Sequence, residues 1–80
     1  MPNLPHLSGA EVVRILERLG FVVARQRGGH IMLRRGPAGC VVPNHREVKL
    51  GTLAGLLKQA GVSPEEFVNA SRARVQGDGR

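Results

Sequence analysis

The hydrophobic period changes twice along this chain, and that alternation leaves few folds open to it. Val12, Ile15, Leu16 and Leu19 recur at three-and-four spacing, the stripe of an amphipathic helix whose wet side is Glu11, Arg14, Glu17 and Arg18. Ser8 and Glu11 stand three apart, as a capping box requires at a helix start, and Gly20 supplies the left-handed residue that ends it. From Phe21 to Arg27 the pattern turns β-branched and alternating, and it resumes over 30–35 beyond the pair Gly28 and Gly29. The run Gly36, Pro37, Ala38, Gly39 marks a turn, and Cys40, Val41 and Val42 make a short third strand that Pro43 ends by removing a ladder donor. After a polar, basic stretch, helical spacing returns with Leu53, Leu56, Leu57 and Ala60 and stops at Gly61. Ser63, Pro64, Glu65 and Glu66 then spell a second capping box, for a short third helix that carries Phe67 and Val68 inward. The order α-β-β-β-α with a short C-terminal helix predicts an α+β fold. It is a small two-layer sandwich, with helices on one face of a three-stranded antiparallel sheet and the other face open.

Eighty residues leave room for one domain, residues 1–80, with a core over about 8–71 and a frayed basic tail over 72–80. Two aromatics, Phe21 and Phe67, are too few for a base-stacking platform, which excludes modules built on aromatic sheets. Twelve Lys and Arg against six Asp and Glu give +6, a balance that favours a polyanionic or acidic partner. Cys40 is the one cysteine, so it forms no internal disulfide and completes no zinc cluster, and a reducing compartment, the cytoplasm, is expected. No basic segment leads into an apolar run at residues 1–7, and no stretch of about 18 apolar residues occurs, so neither secretion nor a membrane partner is expected.

The chemistry concentrates in the second strand. With Ile31 and Leu33 turned under the helices, His30, Met32 and Arg34 fall on the open face, and His30 follows two glycines beside which a ligand backbone has room. Between Arg25 and Lys49 stand six cations (Arg25, Arg27, Arg34, Arg35, Arg46, Lys49) and one acid, Glu47, a local balance of +5. Guanidinium forks hold phosphate oxygens, and imidazole gives or takes a proton near neutral pH. Attack by a ribose 2′-hydroxyl on its own phosphate needs that pairing, so the pattern suits metal-free RNA cleavage. Other readings of the same residues stand beside it. A single His after a glycine turn is ordinarily a surface residue, a basic stretch also serves as a solvated face, and His45 can simply hydrogen-bond its loop. His6 reads as inert in a mobile terminus. The set His30, Cys40 and His45 has no zinc-site spacing, and Cys40 reads as a small packing group, so no metal or cofactor is expected.

The chain also carries Gly20-Phe21, Arg25-Gln26-Arg27-Gly28-Gly29-His30, Val42-Pro43-Asn44-His45, Gly51-Thr52-Leu53 and Leu57-Lys58-Gln59-Ala60-Gly61. In order and spacing, over about residues 8–67, this resembles the HicA family of toxins from bacterial and archaeal toxin-antitoxin pairs. The resemblance implies a double-stranded-RNA-binding-domain-like fold and an endoribonuclease that cleaves messenger RNA, slows translation and is neutralised by a HicB antitoxin; the concentrated positive charge around His30 leads to the expectation that this antitoxin covers the His30 face. The resemblance also implies that His30 is the catalytic histidine. Two positions depart from the family's habit: Gly29 stands where many relatives have Ser, and Ile31 where a second His often follows. The RNA contacts expected are Arg25, Arg27, Gly28, Gly29, Arg34, His45 and Lys49. One imidazole carries one proton at a time, so cleavage needs a second donor, and His45, Lys49 or water are the options. The alternatives are an RNA-binding module without catalysis and a basic subunit that docks an acidic protein.

Overall fold

The computed structural model describes residues 4–78, with side chains as far as residue 72. Six elements follow in order: α1 (Gly9–Arg18), β1 (Val22–Arg27), β2 (His30–Arg35), β3 (Ala38–Pro43), α2 (Leu50–Ala60) and α3 (Pro64–Asp78). The expected sandwich is what forms, an antiparallel sheet in the order β1-β2-β3 with the helices on one side.

Both capping boxes close. The Glu11 amide donates to Ser8 Oγ (3.1 Å) while Glu11 Oε1 accepts from the Ser8 amide (2.9 Å), and Glu66 and Ser63 repeat the exchange at 3.1 Å each way. Helix α1 ends where Gly20 takes φ +96°, with the Phe21 amide reaching back to Leu16 O at 3.1 Å. The core fills the space beneath the sheet: Val12 and Leu16 from α1 and Leu53 and Leu57 from α2 meet Ile31, Leu33, Cys40 and Val42, with Phe21 and Phe67 buried at its ends. Each such side chain contributes about 1.5–3 kcal/mol by leaving water.

Two details differ from the sequence expectation. Helix α3 is not short but runs fifteen residues to Asp78, because Ala70, Ala73, Val75 and Gln76 present no breaker before Gly77. Of the tail expected over 72–80, residues 79 and 80 lie outside the described residues. Strand β3 also begins earlier, at Ala38, because only Gly36 and Pro37 form the turn. There Gly36 has φ +59°, as Gly28 has +58° in the first hairpin, and a first central residue of positive φ suits the right-handed strand twist of a type II′ turn.

Strand β1 carries the main surprise. Val23 faces Leu33 and Arg25 faces Met32, so Ala24 is an extra residue without a partner, a β-bulge. Uninterrupted alternation from Phe21 would put Val23, Arg25 and Arg27 on one face. The bulge inverts the parity, so Val23 lies on the helix side while Arg25 and Arg27 join the open face.

Candidate active site

The open face is built from cross-strand partners. Arg27, His30 and Pro43 form one row, Arg25, Met32 and Val41 the next, and Val22, Arg34 and Gly39 the third. His30, Arg25, Arg27 and Arg34 are all exposed, and Ile31 and Leu33 are buried beneath them, as the alternation in β2 predicts. The middle of the face is apolar, with Met32 40 % and Val41 38 % exposed opposite each other. Sequence alone does not reveal that apolar centre, or Val22 beside it, because Met32 and Val41 read there only as strand alternation.

Beyond His30 the face opens into a cleft of about 460 Å3 lined by His30, Val41, Pro43, His45, Glu47, Lys49 and Thr52. Three of the site residues expected from sequence, His30, His45 and Lys49, therefore share one cavity. Backbone bonds hold its walls. The Asn44 amide donates to Gly29 O at 2.7 Å, joining the residues that immediately precede the two histidines, and the Gly9 amide donates to His45 O at 2.9 Å. Gly9 is itself buried against this loop, where a Cβ would lie 2.9 Å from Asn44 Cα and 3.2 Å from His45 N, with Pro43 O nearer still. No atom stands within 4 Å of a Cβ built at Gly28 or Gly29, so the approach to His30 over the hairpin is open.

The one acid of the basic stretch, Glu47, lines the same cleft. Its Oε2 accepts a hydrogen bond from His6 Nδ1 at 2.9 Å, an exposed pair. His6 thus lies against the cleft rim, held there by an antiparallel bridge between Leu7 and Val48 in which the Val48 amide donates to Leu7 O at 2.7 Å. The residues about His6 thus contact the loop before α2, a pairing that no local pattern announces.

The six cations of the stretch divide, with Arg46 exposed on the loop before α2. Arg35 turns to the helix side, where its guanidinium donates to Leu19 O (2.7 Å) and stacks 4.6 Å from the Phe21 ring centroid, so it closes the end of α1 instead of facing a ligand. Arg25, Arg27 and Arg34 remain on the open face and Lys49 on the cleft. Cys40 faces the core opposite Leu33, on the other side of the sheet from His30, and burial pushes its thiol pKa up. It therefore converges with neither histidine. Among the described residues no three His, Cys, Asp or Glu side chains gather as a metal site.

The HicA toxin model of bacterial toxin-antitoxin systems matches residues 9–62, more than half of the chain. The chain belongs to the HicA toxin family. Its role is accordingly that of a toxin in a toxin-antitoxin system, with an antitoxin as partner. The match spans α1 through the end of α2, and so includes the three strands, both histidines of the cleft and the loop that joins them. A search of curated proteins finds no match to this HicA-family chain. Among the described residues no helix is long and apolar enough to cross a membrane.

Proposed function

We propose that this HicA-family toxin is a metal-independent endoribonuclease that cleaves messenger RNA in the cytoplasm, inhibits translation, and is neutralised by a HicB-like antitoxin seated over the His30 face. The observation that carries this reading is the position of His30. An exposed imidazole stands where a cleft meets a sheet face bearing Arg25, Arg27 and Arg34, beside a hairpin that leaves room for a sugar-phosphate backbone.

In this mechanism the arginines clamp phosphate oxygens and offset the charge that builds on a pentacoordinate phosphorus. Gly28 and Gly29 admit the backbone, and His45 and Lys49 contact it from the cleft. His30 carries one of the two protons that transesterification moves. Side chains supply the acid-base chemistry, and of the cleft's lining residues only Glu47, already paired with His6, offers a carboxylate. The apolar centre at Met32 and Val41, ringed by charge, suits burial by the antitoxin, since protein interfaces place apolar contacts centrally and charge at the rim. A partner there covers His30 and excludes RNA.

Purified toxin incubated with messenger RNA, with and without chelator, tests the reading. Cleavage that survives chelation and is lost in His30→Ala, with circular dichroism unchanged, is expected. RNA left intact after prolonged incubation, or cleavage restored only by a divalent metal, would overturn it. An RNA that binds but is never cut identifies a binding module instead.

A further inference from the structure

We infer that His45 is the second proton carrier of the cleavage reaction, an inference that rests on the ribonuclease reading above. Sequence leaves His45, Lys49 and water as equal options. Their chemistry and the backbone that carries them distinguish them.

His30 and His45 line one cleft from two walls, the first on β2 and the second on the loop between β3 and α2. The backbones that carry them are tied together. The hydrogen bond from the Asn44 amide to Gly29 O ties together the residues before each histidine, and the bond from the Gly9 amide to His45 O fixes the far side of the loop. Preorganisation of this kind is what acid-base catalysis requires, because a misplacement of about 1 Å costs on the order of 100-fold in rate. Neither imidazole forms a hydrogen bond with another described side chain, so both are available to exchange protons.

The other lining groups suit the task less well. A lysine ammonium ordinarily holds its proton far above neutral pH and donates it reluctantly, and a threonine hydroxyl is a poor acid. Glu47 is engaged by His6. Imidazole, by contrast, can both take and give a proton, which are the two transfers the reaction needs.

The balance of the step is as follows. One imidazole takes the proton of the ribose 2′-hydroxyl as the bond from O2′ to phosphorus forms. The other, entering as imidazolium, gives its proton to the 5′-oxygen as the bond from phosphorus to O5′ breaks. The products are a 2′,3′-cyclic phosphate and a free 5′-hydroxyl, with no external reactant consumed.

Two substrates test the assignment: ordinary RNA, and the same RNA with a bridging 5′-sulfur, whose thiolate departs without protonation. On ordinary RNA, His45→Gln should lower kcat/KM about 100-fold or more, within the range known for positioned acids and bases. Its affinity for a non-cleavable 2′-deoxy analogue should fall far less than kcat/KM does, since glutamine keeps a hydrogen-bonding side chain at the contact while losing the group that exchanges a proton. On the sulfur substrate, one of the variants His30→Ala and His45→Gln should recover cleavage near the wild-type rate and the other should not, which assigns acid and base. Wild-type cleavage of ordinary RNA by His45→Gln would overturn the inference, as would failure of the sulfur substrate to rescue either variant. An inactive wild type would refute the ribonuclease reading itself, a separate result from an active wild type with an indifferent His45.

Discussion

Replacing Gly9 by Ala sets two effects of opposite sign against each other. Alanine is the better helix former by about 1 kcal/mol in a helix interior, so propensity alone argues for a stabler protein. At this position, however, the new methyl would press on Pro43 O, on Asn44 Cα at 2.9 Å and on His45 N at 3.2 Å, all of them backbone atoms that no rotamer change can withdraw. Overpacking of this sort costs about 1–3 kcal/mol. Pushing the loop away also strains or breaks the Gly9 amide bond to His45 O, worth about 0.5–1.5 kcal/mol. The steric effect wins, and Gly9→Ala should destabilise the fold by about 1–3 kcal/mol, lowering Tm by roughly 5–20 °C for a domain of this size. RNA cleavage measured well below the new Tm should fall further than the folded fraction does, because the displaced loop carries His45. Thermal unfolding followed by circular dichroism, paired with a single-turnover cleavage assay, reads both quantities. A variant as stable as wild type, or stabler, would show that the contact between α1 and the loop yields freely and that the loop is not held as described.

Charge and catalysis separate through salt. Gln at Arg25, Arg27 or Arg34 should flatten the salt dependence of binding to a non-cleavable single strand by about 0.7 in slope for each phosphate no longer neutralised, whereas His30→Ala should leave it nearly unchanged; equal slopes throughout would assign the basic face to another partner. Burial raises the Cys40 thiol pKa above its ordinary value of 9.0, so the folded protein favours the protonated form. Its contribution to stability is complete below the unfolded-state pKa and is lost as pH rises through the higher folded value. Alkylation at neutral pH should therefore be slow until denaturant is added, and rapid native labelling would contradict the burial. Deleting Ala24 should regularise the β1 ladder while keeping Arg25 and Arg27 opposite Met32 and His30, so RNA affinity should survive; its collapse would show that the bulge itself shapes the RNA-binding surface.

Most of the scaffold was legible because its signals are local. Ser8 with Glu11 and Ser63 with Glu66 need only three-residue spacing to announce helix starts, and Ile31 with Leu33 suffices to turn His30 outward. What escaped depends on partners distant in sequence. Ala24 has no special backbone or side-chain signature, and only the pairing of β1 with β2 reveals it as the extra residue, although it decides which face Arg25 and Arg27 occupy. The cleft is similarly non-local: His30 and His45 come to line it where the bond from Asn44 to Gly29 joins β2 to the loop after β3, and Glu47 meets His6 through a bridge across forty-one positions. Arg35 counted as one more cation in the sequence, and nothing short of the fold shows its guanidinium spent on Leu19 and Phe21.

All six residues of β1 are exposed, and among the described residues no strand pairs with its outer edge in the sheet. In colloidal terms this is an open template: beside its row of main-chain donors and acceptors, Val22 at 61 % exposure and Val23 at 42 % offer a second molecule an apolar contact on either face of the strand. Arg25 and Arg27 stand in the same strand as gatekeepers, since stacking two copies edge to edge would bring like charges together. On the proposed reading, resistance to self-association and contact with phosphate would draw on the same two guanidiniums. Neutralising either one trades ligand affinity against monodispersity, and light scattering at millimolar concentration, with the antitoxin absent, is where that trade becomes visible.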